Sequence, residues 1–509
     1  MTNPGLEPDS PPKQKGLLRF LNGIEKVGNK LPDPFMLFVY LSLFIVLFSW
    51  FISSLGVTVI HPKNGEELAI KSLVSGEGLQ YILTSMLDNF TGFAPLGLVL
   101  AMMLGIGLAE KVGLLETAIK KTVLNAPKGL VTYAVIMVGI MGNLASDAAF
   151  VIIPPLAAMV FYTIGRHPLA GLAAGFSGVG AGFTANFIIT GTDALLAGIS
   201  TEAAKAFDVT VTPVDNWYFM MASVVILTIV GALVTEKIIE PRLGTYKGNV
   251  DKTLEKESPL EGKGLRNAAI AGLAYIAILA AAIAWPNSPL RNEDGGMIPS
   301  TFLDGIIPII LFFFIVIGVT YGVTVKKIQS SRDVPKFMTE AIKDMGGYIV
   351  LIFAAAQFIA YFNWTNLGTW VAVSGANFLE SINMTGLAAI IGFVLLTALL
   401  NLLIFSGSAQ WALEAPIFIP MFAALGYNPA FVQAAYRIAD SSTNIITPMN
   451  PYIIVILAFM KEYDKKAGLG TLISLMLPYT IAFLSVWIIL LLAFALLGIP
   501  FGPGVGVYL

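Results

Sequence analysis

Ser406-Gly-Ser408-Ala-Gln410 interrupts an apolar region spanning about residues 385–426, and Asn143-Leu-Ala-Ser146-Asp147 interrupts another at about 130–165. Each region is long enough for two half-crossings of a bilayer, and each is broken near its centre by small or polar residues. We read both as re-entrant hairpins whose tips stop at mid-membrane; the alternative is two full spans each. Working outward, apolar stretches of spanning length, roughly 20 residues, lie at about 34–56, 94–113, 168–190, 217–235, 268–285, 302–324, 346–362, 430–460 and 469–498. The expected fold is therefore an all-α polytopic membrane protein with nine transmembrane helices and two re-entrant hairpins.

Composition demands the same class. Of the 509 residues 56% are hydrophobic and only 12% charged, about half the charged share of soluble domains, and the mean hydropathy is +0.79. A soluble fold of this length cannot hide that much apolar surface, whereas a lipid bilayer accommodates it. A net charge of −2 offers no basic face for nucleic acid. With no cysteine, disulfides, thiolate nucleophiles and Cys-type zinc sites are excluded. Only two histidines, His61 and His167, are present, too few and too separated for an ordinary His-based metal site. No cofactor is expected beyond Na⁺ or H⁺ as coupling ion.

The polar N-terminus, with Lys13, Lys15, Arg19, Lys26 and Lys30 ahead of the apolar run Pro34 to Leu55, reads as a cytoplasmic tail before a spanning helix, not as a signal peptide. Basic residues crowd the loop 236–267 (Lys237, Arg242, Lys247, Lys252, Lys256, Lys263, Arg266), the loop 325–345 and the turn after Met460. The segments 191–216, 286–301 and 363–384 hold only Lys205 and Arg291. Nine spans and two hairpins put every basic loop on the cytoplasmic side, as the positive-inside rule requires, and leave the C-terminus periplasmic. Counting each hairpin as one span puts basic loops outside. The chain then divides into a tail (1–33), a first membrane half (34–235), a cytoplasmic linker (236–267) and a second half (268–509).

On this count the two hairpins open from opposite sides, so an inverted repeat is expected. Ser146 is followed by Pro154, Gly165, Pro168 and Asn186-Phe-Ile-Ile-Thr190; Ser408 is followed by Pro416, Gly426, Pro429 and Asn444-Ile-Ile-Thr447-Pro448. Broken helices at matching positions of an inverted repeat point to a binding site at the bilayer midplane. Backbone groups freed by unwinding need a partner there. Asn186, Thr190, Thr443, Asn444 and Thr447 offer hard oxygens of the kind Na⁺ prefers, or else serve as packing glue between helices.

Charges inside the membrane are costly and usually functional. Among acidic, basic and histidine residues, the stretch 129–192 holds only Asp147, Arg166 and His167, and the stretch 381–460 only Glu414, Arg437 and Asp440. Arg437 and Asp440, three apart on a helix, are expected to pair. Asp440 then helps to bind the coupling cation, or the pair stitches the bundle. Asp147 and Asp193 are candidate proton carriers, with Asp193 alternatively a solvated loop-edge acid. Trp411 stacks on an aromatic substrate or packs as a core side chain. Gly175-Phe-Ser-Gly178-Val-Gly180-Ala-Gly182 signals close helix approach, and its spacing is not that of a nucleotide loop.

Several stretches closely resemble the AbgT family of p-aminobenzoyl-glutamate transporters: Arg166-His-Pro-Leu-Ala-Gly-Leu, Asp215-Asn-Trp-Tyr-Phe-Met, Lys237-Ile-Ile-Glu-Pro-Arg-Leu-Gly, Arg437-Ile-Ala-Asp-Ser, and Ser146-Asp-Ala-Ala with the paired prolines after it. The resemblance runs from about residue 16 to the C-terminus. It implies a homodimer in the bacterial inner membrane, with nine transmembrane helices and two hairpins per protomer. It also implies cation-coupled movement of p-aminobenzoyl-glutamate, an aromatic dicarboxylate, while some relatives export sulfonamides on the proton gradient. Residues important in the family match Asp193, Asn401, Ser408, Trp411, Pro429, Arg437, Asp440 and Pro448.

The candidate substrate site thus comprises Asn143, Ser146, Asp147, Asp193, Asn401, Ser408, Trp411, Pro429, Arg437 and Pro448. The candidate cation site comprises Asp193, Asp440, Asn186, Asn401, Thr443 and Asn444, with Na⁺ at Asn401, Asp440 and Asn444. Thr443-Asn444 stand where other members carry apolar residues, which favours Na⁺ and leaves import versus export open. The competing readings are sulfonamide efflux and, from another class, a gated ion channel. A channel needs a continuous polar stripe, and the sequence shows isolated breaks instead. A membrane-embedded enzyme is disfavoured by the lack of a nucleophile or metal set.

Overall fold

The computed structural model describes Lys30 and residues 32–60, 65–145, 148–248, 258–382 and 386–509. Ser146, Asp147, His61 and most of the basic N-terminal tail lie outside the described residues. Among the described residues the chain is almost wholly helical. Helix α1 (Pro34–Ser54) starts where Asp33 accepts from Phe35 N at 2.9 Å and Pro34 takes the first turn, a position where its missing N–H costs nothing. A short antiparallel pair, β1 (Thr58–Ile60) and β2 (Glu67–Ala69), follows. Then come α2 (Gly76–Thr91), α3 (Ala94–Lys111) and the amphipathic α4 (Leu114–Leu124).

The first interrupted region folds as α5 (Val131–Met141) and α6 (Ala148–Thr163). Behind it runs a helix broken in two, α7 (Pro168–Ala181) and α8 (Gly191–Ala203). α9 (Trp217–Val234) continues through a π-helical turn to Leu243. The second half holds α10 (Pro259–Ala284), α11 (Ile306–Thr324), α12 (Asp333–Asp344), α13 (Gly346–Trp364) and α14 (Leu367–Ser381). The second interrupted region is α15 (Leu387–Asn401) and α16 (Gly407–Ala424). Its broken helix is α17 (Pro429–Thr443) and α18 (Ile453–Tyr463), and α19 (Leu469–Leu497) closes the bundle.

Among the described residues, seven helical stretches are long and apolar enough to cross a membrane unaided: α1, α2–α3, α9 with its extension, α10, α11, α13 and α19. The hairpin and broken helices are shorter and hold the protein's interior. Every residue of α7 and of α17 is buried, although α17 carries Gln433, Arg437, Asp440, Ser441, Ser442 and Thr443. A polar helix is tolerated there because most of its groups pair within the protein. α1 and α10 turn large apolar side chains outward, among them Leu43, Leu47, Trp50, Ile270 and Leu273, as lipid-facing helices do.

Glycines let the first hairpin close on α7. A Cβ on Gly178 would lie 2.8 Å from Ile136 O and 3.0 Å from Gly139 Cα, and one on Gly180 would meet Ile445 at 2.5 Å. The glycine run is thus a packing comb, with one tooth reaching the other half of the molecule.

The two broken helices cross antiparallel. Ser200 meets Gln433, Asp193 meets Arg437, Thr184 meets Ser441, and Gly180 meets Ile445. One set of numbers falls as the other rises. The foot of α7 also stands beside the end of α18, through His167, Tyr246 and Tyr463 in edge-on contact. The landmark order read from the sequence therefore corresponds to a repeated unit placed upside down.

Four segments differ from the apolar-run reading. Residues 191–203, expected to belong to an outer loop, form α8, most of it buried. Their moderate polarity hides a helix capped by Thr190 and Asp193. Residues 76–91 add a helix ahead of α3, and α12 and α14 are helices within stretches read as loops. α12 is strongly amphipathic, so its polar face masked its apolar one.

Candidate functional site

Both broken helices stop for a sequence reason. α7 ends at Gly182, and α8 restarts at Thr190, where Asp193 Oδ2 accepts from Thr190 N (2.7 Å), Thr190 Oγ1 (2.8 Å) and Asn186 Nδ2 (3.0 Å). This is a capping box closed by an Asp. α17 ends at Asn444, and Pro448 and Pro451, which lack an N–H to donate, keep the chain open until Ile453. Asn450 Nδ2 donates to Asn444 O (2.9 Å) and Thr447 Oγ1 to Leu402 O (2.8 Å).

Each hairpin tip places an asparagine on the break beside it, Asn143 on the unwound strand after α7 and Asn401 on the last turn of α17. Asn143 Nδ2 donates to Phe183 O (2.7 Å) and Ala185 O (3.1 Å). Asn401 Nδ2 lies 2.7 Å from Asp440 O, 2.8 Å from Thr443 Oγ1 and 2.9 Å from Asn444 Oδ1. In both, the amide oxygen Oδ1 is buried and finds no partner among the described residues. Asp440 Oδ1 is in the same condition. Buried oxygens are seldom left so, and three at two tips mark places where an ion or water belongs.

Arg437 does not pair with Asp440. Its Nη2 donates to Asp193 Oδ1 at 2.7 Å and to Thr184 O at 2.6 Å, joining the two breaks. Three residues turn a helix by about 300°, so Asp440 points some way round from Arg437 and lies against Gly407, the first residue of α16. Tyr436 donates to Gly407 O at 2.6 Å and lies within hydrogen-bonding reach of Asp440. Thr184 fastens the crossing: its N donates to Ser441 Oγ at 3.1 Å, and the two hydroxyls are 2.7 Å apart.

A cavity of about 430 Å³ opens between the tips, where the first turns of α8 and α16 meet. Its polar wall is Asn143, Thr190, Thr192, Ser406, Ser408, Asp440 and Asn444, and its apolar wall includes Met103, Phe150, Phe183, Tyr348, Phe405 and Tyr452. Phe150 and Tyr452 stack face to face, centroids 4.5 Å apart and planes 4° off parallel.

Of the residues singled out in the sequence, Asn143, Thr190, Ser408, Asp440 and Asn444 line this cavity. Asp193 and Asn401 lie behind them, bonded to the lining residues Thr190, Asp440 and Asn444, and Asn186, Thr443 and Arg437 bond in turn to Asp193 or Asn401. Trp411 is fully buried away from it. Its Nε1 donates to Ser200 Oγ at 3.1 Å, and its ring packs on Tyr436 at 4.4 Å. Pro429 sits at the first turn of α17 and Pro448 in the second break, neither of them on the cavity wall. The sequence reading missed Thr184, Ser441, Tyr436, Phe150 and Tyr452. Tyr436, four residues before Asp440 on the same stripe, was within reach of a periodicity argument. The two ring residues look like any apolar aromatic in a membrane helix.

Comparison with known proteins matches the AbgT transporter family over residues 19–509. The chain belongs to that family. The p-aminobenzoyl-glutamate transport protein of Escherichia coli (strain K12) is 46% identical over 485 residues, covering 95% of this chain and 96% of that one. Among solved structures, the YdaH transporter of Alcanivorax borkumensis superposes with a TM-score of 0.89 at 39% identity, covering 93% of this chain and all of that one. MtrF of Neisseria gonorrhoeae, described with a class of antimetabolite efflux pumps, gives 0.90 at 42% identity, with 96% and 100% covered. This AbgT-family member is a multi-pass helical membrane transporter with the architecture those proteins share.

Proposed function

We propose that this AbgT-family transporter moves p-aminobenzoyl-glutamate across the bacterial inner membrane by coupling to a cation gradient, as a homodimer with its N-terminus in the cytoplasm and its C-terminus in the periplasm. The observation that carries the reading is the cavity at the crossing of the broken helices, walled by two helix starts on one side and aromatic rings on the other. Its volume lies within the usual range for small-molecule sites. The N-termini of α8 and α16 supply the positive ends of two helix dipoles, which suits carboxylates. Phe150, Tyr452 and Tyr348 suit a benzoyl ring. The name of the E. coli relative points to the same substrate.

Asn401, Asp440 and Asn444 are the natural holders of Na⁺: Asn401 Oδ1 and Asp440 Oδ1 are buried hard oxygens without partners among the described residues. The Arg437–Asp193 pair fixes the frame in which they sit. Movement of the hairpins relative to the broken helices then exposes the cavity to one side and the other in turn. A second reading, export of sulfonamide antimetabolites, draws support from the likeness to MtrF. The test is uptake of labelled p-aminobenzoyl-glutamate into proteoliposomes with Na⁺ and proton gradients imposed separately and in both directions. Saturable, gradient-dependent flux supports the proposal; unsaturable current without substrate flux would overturn it in favour of a channel.

A further inference from the structure

Glu414 lies inside the second hairpin, on α16, and is 2% exposed. It does not line the cavity. One carboxylate oxygen accepts from Thr397 Oγ1 at 2.6 Å and the other from Gln410 Nε2 at 2.8 Å. Gln410 also donates to Thr397 O at 3.0 Å, so the carboxyl is gripped from both arms of the hairpin.

No cation balances it. Of the elements packed on α16, α15 brings no titratable side chain, α13 brings Tyr348 and Tyr361, and α14 brings Glu380, which is exposed. α8 and the turn after it bring Asp193, Glu202 and Lys205, and α17 brings Tyr436, Arg437 and Asp440. Both cations in this set are engaged elsewhere, Arg437 with Asp193 and Lys205 with Glu202 at 2.5 Å. Glu414 is thus a buried acid with no positive partner among the described residues, and Asp440, although Arg437 stands one turn before it, makes no ion pair of its own. An ionised carboxylate left alone in the membrane interior is costly, so each position calls for a positive charge of its own.

The two positions differ in what they accept. At Asp440 one carboxylate oxygen lacks a partner among the described residues and the side chain borders the cavity, which leaves room for a metal cation. Around Glu414 both oxygens already face donors, and the space is closed by side chains, which leaves room for a proton and not for a coordinated ion. We propose that Glu414 is a proton-binding site within the second hairpin, separate from the cation site at Asp440, and that it binds and releases a proton during the transport cycle. The step balances simply: the carboxylate takes one proton to become the acid, whose O–H donates to Thr397 Oγ1 while the threonine hydroxyl turns to a backbone carbonyl of its own helix. Two positive charges then enter the core beside a dianionic substrate.

This inference rests on the transport reading above, and its test separates the two. In proteoliposomes, substrate counterflow without gradients is measured alongside accumulation driven by a pH gradient. Each coupled proton adds about tenfold accumulation per pH unit. Glu414→Gln, a mimic of the protonated state, is expected to lose that factor relative to counterflow in the same vesicles. An unchanged pH-gradient dependence in Glu414→Gln overturns the proposal. Absence of saturable counterflow in the wild type overturns the substrate reading instead. Proton occupancy is read independently by infrared spectroscopy of the wild-type protein over a pH series, where a carboxylic-acid C=O band sensitive to deuteration is expected. Thr397→Val, which removes a donor to the carboxylate, is expected to move that band's midpoint to higher pH. An unmoved midpoint, or no such band, also sinks the idea.

Discussion

Arg437 reaches past Asp440, on its own helix, to Asp193 on the other broken helix, with Nη2 and Oδ1 2.7 Å apart. The only ion pair of the described residues that bridges the two breaks is therefore a structural hinge pin as well as an electrostatic one.

Removing one member leaves the other charge buried alone, at a cost of about 3–5 kcal/mol. Asp193→Asn is expected to lower thermal stability by that order, while Asp193→Asn with Arg437→Gln, which removes both charges, recovers most of it. Thermal unfolding followed by size-exclusion chromatography reads the difference. Equal stability of single and double variants would show that the pair is dispensable to the frame.

Asp440→Asn keeps the shape of the side chain and deletes its charge. Gradient-driven accumulation is expected to disappear while the protein is made and inserted at its normal level. Wild-type accumulation in this variant would exclude Asp440 from coupling.

The aromatic wall and the buried indole make opposite predictions. Tyr452→Ala and Phe150→Ala are expected to weaken binding of an aromatic substrate about tenfold each while leaving stability nearly intact for Tyr452, which is only partly buried. Trp411→Ala empties a packed site and is expected to cost about 3–5 kcal/mol of stability. Affinity measured on folded protein, beside melting temperature, sorts the two. Loss of affinity at Trp411 without loss of stability would restore it as a ligand-stacking residue.

His167 Nδ1 accepts from Leu169 N at 3.2 Å at the foot of α7, which requires the ring to be neutral on that nitrogen. Burial pushes the imidazole below its ordinary value, against the pull of Glu240 and Asp464. The folded state therefore resists protonation. Its contribution to stability is complete above the unfolded value, about 6.5, and is lost as pH falls through the lower folded one. The wild type is expected to lose melting temperature on acidification from about pH 7.5 to 5.5 more steeply than His167→Asn, which caps without titrating. Parallel slopes would refute the assignment.

The hairpins and breaks were legible because lipid makes polar interruptions expensive, so Ser406-Gly-Ser408 and Asn143 stand out by composition alone. The landmark prolines carried the repeat. Partner choice was not legible. A spacing of three places Asp440 near Arg437, but only the crossing of two chain segments brings Asp193 nearer still. Trp411 stayed open between substrate and core for a related reason: which side of α16 faces the cavity depends on where α8 packs, and α8 itself was hidden by its own polarity. Ser146 and Asp147 lie outside the described residues.

The antiparallel register of the two broken helices, 200 with 433, 193 with 437, 184 with 441 and 180 with 445, gives the molecule an internal two-fold sense. If the first unit takes the shape now held by the second, and the second that of the first, the result is the same molecule facing the other way. On the transport reading proposed above, such a fold works as a reversible valve, and the direction of net flow belongs to the gradients on either side of it.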